Sequence, residues 1–287
     1  TRSGIDTKAQ RQRRGMLLML VSVGLFALMD AALKTLSAHY PPFQVAAMRG
    51  LSSLPLVLAW ALWTVGPMPL LRVRWPLHLM RGVLGIAMMA SFVYALKRLP
   101  LSTAYSIFFV APLLITALSV PILGERVGPR RWTAIAIGLL GVLVVLRPTG
   151  EGVFTLAGLA VLLAATGYAV SAITVRVLAR TDSNQAMVVW LLALMALGAG
   201  ALALPQWVPL RMQDAWLIAG IGVAGSIGQY TITEAFRLGE GSPIAPLEYP
   251  APVWGVALDL ALLGVLPDSV TWMGPALAAM LRSLAWS

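Results

Sequence analysis

Six ionisable residues fall inside long apolar runs: Asp30, Lys34, Arg49, Glu234, Glu248 and Asp259. Charge is expensive in such surroundings, so each needs a partner or a task. Asp30 and Lys34 stand four apart and share a helix face, which suits a local ion pair near one helix end. Arg49, from the next run, either pairs with Asp30 or attracts a carboxylate; the structural pair is the preferred reading. Glu248 sits among Pro243, Pro246, Pro250 and Pro252. Each proline lacks an N–H and leaves a helical carbonyl without its donor. A broken helix beside a carboxylate is a seat for an ammonium group. Asp259, about three turns further on, projects from a similar face. Glu234 stands three residues before Arg237, so it reads equally well as a snorkelling salt bridge.

Other chemistries are excluded by what the chain lacks. It has no cysteine and only two histidines, His39 and His78. Disulfides, thiolate nucleophiles and His-rich metal centres are therefore not expected. No Gly-x-x-x-x-Gly-Lys-Ser/Thr phosphate loop occurs, so ATP drive within this chain is unsupported. A lipid-modifying membrane enzyme would need clustered His, Asp or Ser near one interface, and no such cluster is evident. The expectation is a protein with no catalytic residue, no cofactor and no metal.

The elements that must position these groups are helices in a bilayer. Of 287 residues, 59% are hydrophobic and 11% charged, and the mean hydropathy is +0.83. A soluble surface needs more charge than this; a lipid-facing one does not. At about 20 apolar residues per span, ten helices are predicted. They are Gly15–Leu36, Phe43–Trp63, Leu77–Leu96, Ser102–Leu123, Arg131–Leu146, Leu156–Leu178, Ala186–Leu204, Ala215–Phe236, Ser242–Val265 and Val270–Ala285. The basic segment through Arg14 and the run after it have the outline of a signal peptide. The length of that run and the similar runs that follow read it as a retained first helix.

An even number of spans puts both termini on one side. Lys34, Lys97, Arg98, Arg147 and Arg211 then fall on the opposite side, and Arg49 lies within a helix. The remaining Lys and Arg residues, Arg81 among them, fall with the N-terminus, a roughly threefold excess. By the positive-inside rule both termini are cytoplasmic. The net charge of +10 thus reads as orientation in a bacterial inner membrane, not as nucleic-acid binding. Trp60, Trp63, Trp75, Trp207 and Trp216 at helix ends read as interface anchors.

Displacing the chain against itself by 140 residues aligns Gly82-Val83 with Gly222-Val223, Gly85 with Gly225, Ala111-Pro112 with Ala251-Pro252, and Leu123-Gly124 with Leu263-Gly264. A displacement of 142 aligns Phe26-Ala27 and Lys34 with Tyr168-Ala169 and Arg176. Residues 1–147 and 148–287 thereby form two five-helix halves of one membrane domain. Five is odd, so the second half enters from the other side, giving an all-α integral membrane protein of two inverted repeats. Inverted halves can exchange conformations and so alternate access to a central site. Glu234 aligns with Tyr94 and Glu248 with Phe108, which predicts a cavity whose acidic groups belong to the second half. Gly222, Gly225 and Gly228 form a small-residue face for close helix packing.

The stretch from Ser106 through Ala111-Pro112 to Gly124-Glu125 resembles the fourth-helix signature of the EamA group in the drug/metabolite transporter superfamily. Ala251-Pro252 to Leu263-Gly264 is similar but lacks the Glu. Within the group, Phe26–Lys34 and Glu248–Trp254 look most like the YddG-type bacterial aromatic amino-acid exporters. The resemblance implies a cavity lined by the third, fourth, eighth and ninth helices. Its candidate lining residues are Met89, Tyr94, Tyr105, Phe108, Tyr230, Glu234, Glu248, Tyr249 and Trp254, with Gln229 and Thr233 nearby. Asp30, Lys34, Arg49 and Asp259 are candidates for charge pairing or coupling. Aromatic and Met walls suit a flat apolar side chain, although packing explains any one of them equally simply. The resemblance implies export of aromatic and bulky apolar amino acids by alternating access. Export of drugs or of cationic or nucleoside-like metabolites is the alternative. The partners expected are membrane lipid and a small-molecule substrate, with the oligomeric state open and a monomer included.

Overall fold

The computed structural model describes residues 2–124 apart from 109, the isolated positions 128, 129 and 133, and residues 155–238. Among these residues the regular structure is entirely helical. The helices are α1 (Arg2–Ser37), α2 (Pro42–Thr64), the short α3 (Met68–Leu71), α4 (Trp75–Leu96), α5 (Leu101–Phe108), α6 (Val110–Leu123), α7 (Leu156–Leu178), α8 (Asn184–Ala203) and α9 (Ala215–Leu238). Seven candidate spans result among the described residues, with α5 and α6 together supplying the fourth. They coincide with the predicted first to fourth and sixth to eighth helices. The predicted fifth, ninth and tenth helices lie outside the described residues.

Local chemistry explains where the helices begin and end. Thr155 caps α7 by accepting from the Gly158 N–H at 3.2 Å. Ser183 caps α8 by accepting from Ala186 N–H at 3.2 Å, so α8 starts earlier than hydropathy alone predicts. Prolines open α2 and α4, where a missing N–H costs nothing. Gly124, at φ +70°, follows α6 in the left-handed region that glycine enters without a Cβ clash. α1 is helical from Arg2, so the basic leader continues the helix ahead of the first span, which begins at Arg13.

Two helices lean on two others in a reciprocal pattern. α1 lies along α9, and α4 lies along α7. α2 and α8 pack against one another, α2 also meets α9, and α8 also meets α4. Exchanging α1 with α7, α2 with α8 and α4 with α9 leaves these principal pairings unchanged. The helix starts keep the same offsets: Pro42 and Asn184 are 142 positions apart, and Trp75 and Ala215 are 140 apart.

The aligned glycines make matching contacts. A Cβ at Gly222 would stand 2.7 Å from the Ser52 carbonyl oxygen, and one at Gly82 would stand 2.7 Å from Leu194 Cβ. Ser52 and Leu194 are themselves equivalent under the displacement of 142. Gly225 and Gly228 likewise admit Ser53 Oγ and the Phe26 ring, each at 2.9 Å. Close packing of this kind lets backbones approach and replaces a hydrophobic driving force that lipid cannot supply. Outward-facing side chains such as Leu17, Val83, Leu163 and Leu197 are well exposed, as a lipid-facing surface requires. Trp63 and Trp216 are also exposed, whereas Trp60 packs edge-on against Tyr230 at 4.7 Å.

Candidate functional site

A cavity of about 170 Å³ lies between the two sets of helices. Helical spacing aims its lining. From α1 come Phe26, Met29 and Asp30, at intervals that share one face. α4 supplies Arg81, Met88, Met89 and Phe92, and α5 supplies Tyr105 and Phe108. Opposite them, α7 gives Tyr168, Ser171 and Ala172, and α9 gives Gln229, Ile232, Thr233 and Phe236. Arg49 of α2 and Leu191 of α8 close the sides. The wall is mainly apolar and rich in rings. Phe92 stacks with Tyr105 and meets Phe108 edge-on at 5.8 Å, and Phe108 meets Tyr168 at 5.4 Å.

Three charged residues line this wall among the described residues. Asp30 Oδ2 accepts the Tyr105 hydroxyl at 2.7 Å. Arg49 donates from Nη2 to Gln229 Oε1 at 3.1 Å and from Nη1 to the Met89 sulfur at 3.9 Å. Its guanidinium also sits 5.5 Å from the centre of the Phe26 ring. Arg49 Nε has no acceptor. Asp30 and Arg49 are close enough to act on one another electrostatically. Their direct bonds nevertheless go to Tyr105 and to Gln229 and Met89, so the expected ion pair is a facing pair without contact. Arg81 donates from Nη1 to the Met187 carbonyl at 3.1 Å and from Nε to Ser171 Oγ at 3.4 Å.

Arg49 and Asp30 each stand seven residues from the α1–α2 connection, which is about 10 Å of helix. Arg81 stands six residues into α4, so it enters from the opposite end. The cavity therefore has a tier with both signs of charge and a separate cationic tier. Arg81 is the group that sequence reasoning missed. Its sequence position reads as loop charge of one membrane face, yet its side chain is buried. The available signal was its place four residues inside the predicted third helix.

The other predicted residues are placed as follows. Met89, Tyr105 and Phe108 line the cavity with Asp30 and Arg49. Tyr94 is turned away, with the Arg98 guanidinium 3.7 Å over its ring. Tyr230 packs on Trp60. Glu234 accepts from Asn184 Nδ2 at 2.8 Å and pairs with Arg237 at 3.1 Å, which is the snorkelling arrangement. Lys34 does not form the pair expected with Asp30; its ammonium donates to the carbonyls of Leu96 and Leu99. Glu248, Tyr249, Trp254 and Asp259 lie outside the described residues.

Two polar joints fasten the halves at opposite ends. At one, Tyr40 donates to Asp214 at 2.7 Å and accepts the Arg211 N–H at 3.0 Å. Gln44 there exchanges two bonds with the backbone of Val208. At the other, Asp182 accepts from the Arg74 N–H at 3.1 Å and meets His78 Nε2 at 2.8 Å. Burial acts to raise the Asp182 carboxyl, but hydrogen bonds from Thr181, His78 and the Arg74 backbone outweigh it, holding Asp182 below its ordinary value. Trp190 donates to the Leu70 carbonyl at 2.6 Å beside this joint.

Comparison with known proteins agrees with this architecture. The EamA-like transporter family matches residues 13–147. The chain is 26% identical over 264 residues to the pseudopaline exporter of Pseudomonas aeruginosa, covering 91% of this chain and 92% of that one. It is 28% identical over 274 residues to a riboflavin transporter of Vibrio cholerae, covering 93% and 91%. A crystal structure of a protein 24% identical in sequence superposes with a TM-score of 0.72, covering 94% of this chain and 96% of the other, and shows the fold alone. Neither named relative is an aromatic amino-acid exporter, so that narrower resemblance gains no support from them. Residues 13–147 thus match the EamA-like transporter family, and the described residues hold seven spans long and apolar enough to cross a membrane.

Proposed function

We propose that this transporter exports small amino acids, chiefly those with aromatic or bulky apolar side chains, by alternating access. The observation that carries the reading is a ring-lined cavity bearing a carboxylate and two guanidinium groups. Such a wall offers a flat apolar surface for a side chain and both signs of charge for its zwitterionic head. Its volume is on the scale of one small molecule. The cationic-drug alternative is weaker, because the described wall holds two arginines against one aspartate. The reading takes the chain as ten helices in two inverted halves, residues 1–147 and 148–287, in a bacterial inner membrane with cytoplasmic termini. The reciprocal packing of α1, α2 and α4 with α9, α8 and α7 supports inversion, and the pseudopaline exporter among its relatives supports outward flux.

A second reading, transport of a flat heteroaromatic such as riboflavin, is favoured by the Vibrio cholerae relative and by the rings of Phe92, Phe108 and Tyr168. Uptake of radiolabelled phenylalanine into proteoliposomes separates the two. The amino-acid reading expects saturable uptake, competed by tryptophan and methionine and indifferent to riboflavin. Competition by riboflavin alone, with no phenylalanine flux above empty liposomes, would replace it with the second reading.

A further inference from the structure

Asp30 and Arg49 are opposite charges buried in one cavity, at 8% and 4% exposure, yet neither takes the other as its direct partner. A buried carboxylate and guanidinium gain most by meeting, because both have given up water. Here each is held aside by a neutral group. Tyr105 holds the carboxylate through a single 2.7 Å bond. Gln229 holds the guanidinium at Nη2, and Gln229 is itself anchored through Thr233 at 3.3 Å. The guanidinium is left with donor capacity unspent: Nε has no acceptor, and Nη1 has only a thioether at 3.9 Å. A thioether is a weak acceptor for a cation. Arg81 differs, because its Nη1 and Nε are bound to Met187 and Ser171.

We infer that Asp30 and Arg49 are a divided ion pair that selects zwitterions: Arg49 receives the substrate carboxylate, and Asp30 with Tyr105 receives its ammonium. The inference rests on the amino-acid reading and specifies which end of the substrate meets which residue. A bound α-amino acid supplies the missing counter-charge to both residues at once. A molecule with one charge satisfies one residue and leaves the other buried without a counter-ion. Selection against singly charged analogues is thus built into the site. Gln229 is a positioning residue, keeping Arg49 off Asp30 while lacking the negative charge by which a carboxylate attracts a guanidinium.

The test needs no variant at its first step. Competition against labelled phenylalanine is measured in wild-type proteoliposomes with phenethylamine, which lacks the carboxylate, and 3-phenylpropionate, which lacks the ammonium. The expected result is that both compete at least about tenfold more weakly than phenylalanine. Arg49→Gln should then remove the discrimination against phenethylamine, Asp30→Asn the discrimination against 3-phenylpropionate, and Arg49→Lys should restore part of the former. Either analogue competing as well as phenylalanine in the wild type overturns the divided pair while leaving amino-acid transport standing. Retained discrimination in a folded Arg49→Gln protein overturns the carboxylate assignment. Absence of any amino-acid flux removes the inference together with the reading beneath it.

Discussion

The two halves of the molecule present equivalent positions to the cavity but different chemistry. Phe26 and Tyr168, Met29 and Ser171, Asp30 and Ala172, Arg49 and Leu191, Met89 and Gln229, and Phe92 and Ile232 are pairs under the displacements of 142 or 140, and both members of every pair line the wall. Positions related by these displacements thus line the cavity together. The charge does not follow the repeat. Asp30, Arg49 and Arg81 all belong to the first half, while the described lining of the second half is neutral. Of the acidic groups expected in the second half, Glu234 belongs to an ion pair with Arg237 at the end of α9, and Glu248 lies outside the described residues. Among the described residues the first half supplies the ions and the Tyr105 hydroxyl that holds Asp30, and the second supplies the Gln229 amide on Arg49 and the Ser171 hydroxyl on Arg81.

The comparison is most sharply broken by making the first half resemble the second. Arg49→Leu copies Leu191 into its equivalent position and should reduce phenylalanine uptake by tenfold or more, the scale of a charged hydrogen bond. Leu191→Ala, its counterpart, should change uptake by only about twofold, because it removes methyl groups and no charge. Equal losses in proteins that fold equally would mean that the asymmetry of charge has no bearing on transport.

A smaller effect separates two packed glycines. Gly222→Ala meets the Ser52 backbone carbonyl, which cannot turn aside, whereas Gly85→Ala meets only Leu191 Cδ1, the far end of a side chain that can shift. Overpacking costs about 1–3 kcal/mol, so Gly222→Ala should show the lower thermal midpoint of the two. The smallest effect lies at the polar joints. Asp182 is held below its ordinary value, so its stabilising contribution is complete above pH ~4 and fades as pH falls through its folded value. Asp182→Asn should lower the thermal midpoint at neutral pH by an amount worth about 1 kcal/mol, and the gap from wild type should close in acid.

The spans were legible because length and apolarity are properties of a run, and seven predicted helices stand where they were expected. Rotation about each helix axis was not legible. In a soluble helix the polar face reveals which side is buried. In a bilayer the lipid face and the packed face are both apolar, so α4 gives no sign from its sequence that Met89 and Phe92 face inward while Tyr94 does not. Glu234 and Tyr230 miss the cavity for the same reason, each one residue from a lining position, Thr233 or Gln229. Charge gave better guidance: Asp30 and Arg49 stood out because burial in lipid needs a reason. Arg81 was overlooked because a basic residue near a helix end resembles loop charge until its side chain is seen to turn inward.

Recognition of an amino acid through its charged head requires that one amino acid bind the purified protein with Arg49 in place. Scintillation-proximity binding of tritiated phenylalanine to wild-type and Arg49→Leu protein measures this without transport. The account predicts saturable binding to the wild type that unlabelled phenylalanine displaces, and its loss in a folded Arg49→Leu protein. Undiminished binding to Arg49→Leu, or none to the wild type, would contradict it.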